Sequence, residues 1–83
     1  MIELASHIVD VSLERKKYVY HLQLQKITYY TVLQGLKLNL IDKDTFEELY
    51  KYKSDRFTTS RYGPRSETIF LRYGVFGAER IFT

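Results

Sequence analysis

The sequence predicts an all-α or mainly α fold of about four helices with at most one short β segment. Three observations carry that expectation. Apolar residues recur at helical spacing through two long windows, a helix-start signal opens a third, and a Gly-Pro pair precedes a fourth.

From Ile2 to about Arg15, Leu4, Ile8 and Val11 recur beside Ala5, Val9 and Leu13, with Glu3, Asp10 and Glu14 on the polar side. This is an amphipathic helix, and the basic triplet Arg15-Lys16-Lys17 suits the negative end of its dipole. The alternation in Tyr18 to Gln25 also permits a strand. Beyond it, Leu22, Tyr29, Leu33, Leu36 and Leu40, widened by Leu24 and Ile27, predict a second helix from about Leu22 to Leu38. Apolar over much of its surface, this helix is expected to be central. Gly35 inside it costs roughly 1 kcal/mol relative to Ala, which implies a close approach by another group.

Asn39 to Lys43 reads as a connection. Asp44-Thr45-Phe46-Glu47 has the form of a capping box opening a third helix to about Lys53. Phe57 to Tyr62 predicts a single extended segment. Pro64 is expected in the first turn of a fourth helix running to about Tyr73, with Ser66, Ile69, Phe70 and Tyr73 inward and Arg65, Thr68 and Arg72 outward. Gly74 and Gly77 then loosen the chain. No linker divides residues 1–83, so a single small domain is expected.

Composition narrows the function. With 45% hydrophobic and 28% charged residues the chain should fold, but at 83 residues its core gives only about 3–5 kcal/mol of net stability, so it packs well or leans on a partner. Cysteine is absent, which excludes disulfides and thiolate metal sites. No apolar run reaches the ~18 residues of a membrane span, and Met1 to Leu4 lack a basic leader, so a cytoplasmic protein without membrane contact is expected. Residues 1–50 hold six Lys and Arg against seven Asp and Glu, a net −1. Residues 51–83 hold seven against three, a net +4. An acidic partner would therefore dock on the C-terminal part.

Catalytic signals are sparse. There is no glycine-rich phosphate loop, G-x-S-x-G or H-E-x-x-H motif, and Ser6 and His7, adjacent on a helix, diverge by roughly 100°. Glu3, His7 and Asp10 share a helix face at i, i+4 and i+7, but a solvated polar face is the plainer reading, and no metal, cofactor or catalytic residue is expected. His21 reads as structural near a helix start, and Tyr29-Tyr30 as core and core edge. Arg56, Arg61, Arg65, Arg72 and Arg80 interleave with Phe57, Tyr62, Tyr73 and Phe82. That mixture suits a protein interface, and it also suits phosphates and stacked bases.

Three stretches together resemble one family. Leu22-Gln23-Leu24-Gln25-Lys26-Ile27-Thr28-Tyr29-Tyr30, continuing to Gln34-Gly35-Leu36, is similar to an L-K-L-Q-K-L-L-Y-F helix start followed by Q-G-W. Arg61-Tyr62-Gly63-Pro64 is similar to a W-x-Y-G-P-V turn, and Ile69 to Gly74 to the helix after it. The order and motifs resemble the N-terminal part of the Panacea antitoxin domain, typified by SocA-like antitoxins and many phage-associated proteins. Ser60 stands where that family usually has Trp, and Arg65 and Ser66 replace its apolar pair after Gly-Pro.

The resemblance implies a helical, non-enzymatic protein-binding module that neutralises or modulates a toxin or host protein by occupying its surface. A small basic nucleic-acid-binding regulator is the alternative, and self-association is compatible with both. The predicted contact residues are Arg61, Tyr62, Arg65, Thr68 and Arg72. If Pro64 opens the fourth helix, the last three share its exposed face, and the first two extend it toward an acidic partner.

Overall fold

A computed structural model of the protein describes residues 1–77 and 79–81. Its order is α1 (Ile2–Glu14), α2 (His21–Lys37), α3 (Lys43–Leu49), β1 (Phe57–Ser60), β2 (Gly63–Ser66) and α4 (Glu67–Tyr73), with 3-10 turns at Lys53–Asp55 and Gly74–Phe76. The fold is mainly α, as its sequence predicts. No helix among the described residues is long and apolar enough to cross a membrane.

Both long helices end in the same device. After α1, Lys17 N–H donates to Ser12 O at 2.8 Å and Lys16 N–H to Leu13 O at 3.0 Å, with Lys16 at φ 56°. After α2, Leu40 N–H donates to Gly35 O at 2.8 Å and Asn39 N–H to Leu36 O at 3.2 Å, with Asn39 at φ 56°. These are Schellman closures that satisfy the last carbonyls by placing one left-handed residue after the helix. The second turns Ile41 back over Gly35. A Cβ on Gly35 would meet Ile41 Cδ1, and Cγ1 at 2.7 Å, so the close approach expected at this glycine is real and its source is the chain just beyond the helix.

The core is built from Ala5 and Val9 of α1, Leu24 and Val32 of α2, Ile69 and Tyr73 of α4, and Met1, Val19 and Ile81 from outside the helices. Ile81 N–H donates to Val19 O at 2.9 Å, and Tyr20 bridges Arg80, so the end of the described chain pairs with the α1–α2 link. Ser6 Oγ and Tyr73 Oη lie 2.9 Å apart, tying α1 to α4.

Several expectations need correction. The buried stripe of α2 is His21, Leu24, Gln25, Thr28, Val32 and Gly35, whereas Leu22, Leu36 and Leu40 of the expected stripe are exposed. Polar side chains occupy core positions because their bonds are satisfied there: Thr28 Oγ1, for example, donates to Leu24 O at 2.7 Å. Consequently α2 is not enclosed, and Tyr30 is exposed.

The N-cap of α3 is Asp42, whose Oδ1 accepts from Thr45 N–H at 2.7 Å, two residues before the expected Asp44. The helix also ends at Leu49, short of Lys53, and none of its residues is buried.

Pro64 does not open a helix. It lies in β2 opposite Thr59, in a hairpin whose register runs from Phe57–Ser66 to Ser60–Gly63. The extended segment read at Phe57 thus acquires a partner strand, and α4 starts three residues after Pro64. Proline suits this two-stranded ribbon, where its missing N–H breaks no interior ladder. Neither Arg61 nor Tyr62 has positive φ, so the reversal falls on Gly63 at φ 111°, a region that favours glycine.

Finally, Phe70 is not inward with Ser66, Ile69 and Tyr73, which are buried. It lies at the surface under Arg65.

Candidate partner-binding site

Gln25 positions the site. Its Oε1 accepts from Ser66 N–H at 2.9 Å and its Nε2 donates to Ser66 O at 3.0 Å, so a side chain of α2 pairs with β2 as a strand would. The next residue contributes too, because a Cβ on Gly63 would meet Lys26 Cε at 3.2 Å. The lysine stem lies over the glycine of the hairpin. The amide and the stem together set the hairpin against the first turns of α2.

The result is a pocket of about 480 Å³ between the start of α2, the hairpin and α4. His21, Leu22 and Gln25 line one side, Arg61, Tyr62 and Arg65 the second, and Phe70 and Gly74 the third. The Arg65 guanidinium stacks on the Phe70 ring, 3.9 Å from its centroid, and its Nη2 is 3.4 Å from Glu67 Oε2. A partly exposed cation over a ring gains about 0.5–1 kcal/mol and has its orientation set. Arg65 Nε is buried without a hydrogen-bond partner among the described residues. Arg61 stands 5.9 Å from the Tyr62 ring at the exposed turn, where Tyr62 is 61% accessible.

His21, the first residue of α2, is buried, and its Nε2 is 3.1 Å from Gln25 Nε2. An amide nitrogen only donates, so this imidazole nitrogen accepts and carries no proton. Burial lowers the His21 pKa below its ordinary value, and the Arg65 charge lowers it further. The expectation of a structural histidine at a helix start agrees with this placement. The pocket therefore presents two guanidinium groups, a phenol and a neutral ring.

The five sequence-predicted contact residues divide. Arg61, Tyr62 and Arg65 come together at the pocket. Thr68 turns away, its Oγ1 donating to Asp55 Oδ1 at 2.7 Å. Arg72, four residues on from Thr68, is exposed on α4 but does not line the pocket. Arg65 and Arg72 share no helix face, because Arg65 lies in β2.

Neither the platform that Phe70 gives Arg65 nor the bracing role of Gln25 is legible in the sequence, although Gln25 stands in the Leu22 to Tyr30 motif. Phe82 of the aromatic set lies outside the described residues. Among the described residues, no three His, Asp or Glu side chains are grouped to hold a metal ion, the Glu3, His7 and Asp10 row included. Compared with known proteins, the chain matches no family model, no curated protein and no solved structure.

Proposed function

We propose that the chain is a non-enzymatic protein-binding module whose pocket end, formed by Arg61, Tyr62 and Arg65, occupies an acidic surface of a protein partner. One observation carries the reading. Three motifs distant in sequence, Leu22 to Tyr30, Arg61 to Pro64, and Ile69 to Gly74, each contribute side chains to a single open pocket. Arginine fits the role because its planar fork pairs two carboxylate oxygens at once, and an exposed Tyr adds contact area at little entropic cost. The resemblance to Panacea antitoxins supports the narrower form, in which a toxin or host protein is held and neutralised or modulated without chemistry.

The test uses the chain and its Arg61→Glu/Tyr62→Ala variant as paired baits in nuclease-treated lysate of the native host, read by mass spectrometry. Both substituted residues are exposed, so the melting temperature should stay within about 2 °C, and a folded variant isolates the surface. A protein retained by the parent and lost by the variant supports the proposal. Arg72→Glu should leave that capture intact. Equal capture by parent and variant overturns the assignment of the surface. Capture found only in a parallel lysate without nuclease, or binding of bare DNA that falls steeply with salt, favours the nucleic-acid regulator instead.

A further inference from the structure

A second surface shares no lining residue with the pocket. Along α2, Ile27, Tyr30, Thr31 and Gln34, continued by Leu38 just past its end, form a stripe beside the buried one. With Leu40, Ile41 and α3 they bound an open groove of about 760 Å³ whose walls are almost wholly apolar. Ile27, Tyr30, Leu38 and Leu40 are 40%, 57%, 63% and 76% accessible. Monomeric proteins seldom leave so many large apolar side chains contiguous and uncovered unless the patch binds something.

The length of the stripe fits a helix. Ile27 to Leu38 spans eleven steps of about 1.5 Å, roughly three turns, and two α-helices pack at about 8–10 Å through such rows. At its α1–α3 end the groove shares Leu4 and Leu49 with a neighbouring hollow lined by the carboxylates of Glu3, Glu48 and Asp55 and by one lysine, Lys51. Asp55 is already engaged by Thr68, which leaves Glu3 and Glu48 facing outward. Asp42 and Asp44, also exposed, stand at the start of α3. Lys43 stands between them, with its Nζ 4.0 Å from Glu47 Oε1, and the exposed Lys37 precedes Leu38. The charge beside the groove therefore has a small negative excess, opposite in sign to the hairpin end.

We propose that this groove receives an amphipathic helix of a protein partner, its apolar row on Ile27, Tyr30, Leu38 and Leu40 and its basic side chains toward Glu3 and Glu48. Recognition is by apolar anchors at i, i+3 or i+4, and i+7, with charge setting the choice of helix. The proposal does not depend on the pocket reading.

The probes are an 18-residue peptide with Leu at helical spacing and Lys elsewhere, and its counterpart with Glu in place of every Lys. Binding to the full chain is measured by fluorescence anisotropy and mapped by amide chemical shifts. The Lys peptide should bind at least tenfold tighter than the Glu peptide and shift residues of α2, α3 and their connection. Leu38→Asp with Leu40→Asp should weaken it at least tenfold with an unchanged melting transition, and Glu3→Lys with Glu48→Lys should reverse the preference between peptides. Equal affinity for both peptides, shifts centred on the hairpin, or sedimentation showing that a second copy of the chain covers the groove would each overturn it.

Discussion

Gln25 and Ser66, 41 positions apart, are joined by two hydrogen bonds through which one side-chain amide satisfies both backbone groups of a buried residue. Removing the amide leaves a buried N–H and a buried C=O unpaired, and each costs about 1–3 kcal/mol. Gln25→Leu should destabilise the fold by about 2–4 kcal/mol in urea titrations, although leucine is the more apolar residue. A loss under 0.5 kcal/mol would show that the hairpin is held some other way.

Gly35 and Ile41 are coupled through space. Ile41 is β-branched and stiff at χ1, so it yields poorly to a side chain on Gly35. Gly35→Leu should cost about 1–3 kcal/mol by overpacking, and adding Ile41→Ala should recover part of that cost. A simple sum of the two single losses would mean that the contact is not the cause.

The two Schellman turns place non-glycine residues in the left-handed region. Lys16→Gly removes a Cβ penalty of about 1–2 kcal/mol against a smaller entropic cost in the unfolded chain, so it should stabilise by about 0.5–1 kcal/mol. Thermal unfolding of the variant checks this. A lower melting temperature would place Lys16 in another conformation.

His21 makes stability depend on pH. Its folded pKa lies below the ordinary 6.5, by burial first and the Arg65 charge second. The unfolded chain therefore binds a proton that the folded chain resists. Its contribution is fully present above about pH 6.5 and is lost as pH falls from there through the folded pKa. In an NMR titration the His21 ring should show a midpoint below 6.5, and Arg65→Gln should move it upward. The expected decline in stability below pH 6.5 should shrink in His21→Asn.

The placements of α1 and α2, the extended segment at Phe57 and the close approach at Gly35 follow from local terms that a sequence displays: apolar period, strand-favouring residues and the cost of a helical glycine. The local pattern places the start of α3 two residues late, because Asp42 and Asp44 are both capping residues and only the path of the chain selects between them. The basic, aromatic cluster is also legible, since Arg61, Tyr62 and Arg65 are near neighbours in the chain. Which face they share is not.

Pro64 fits the first turn of a helix and an outer strand equally well by its own φ. The strand wins because Gln25 pairs with the backbone of Ser66 and Lys26 packs over Gly63, from a helix some forty residues earlier. The same long-range pairing places Gln25 in the interior, separates Arg65 from Arg72 and leaves the Ile27 to Leu38 stripe uncovered. By itself the sequence determined the helical class, the two long helices and the basic, aromatic cluster of Arg61, Tyr62 and Arg65. Tertiary structure decided which apolar stripe is buried and which side chains meet, because those depend on hydrogen bonds and contacts between segments whose distance no local pattern encodes.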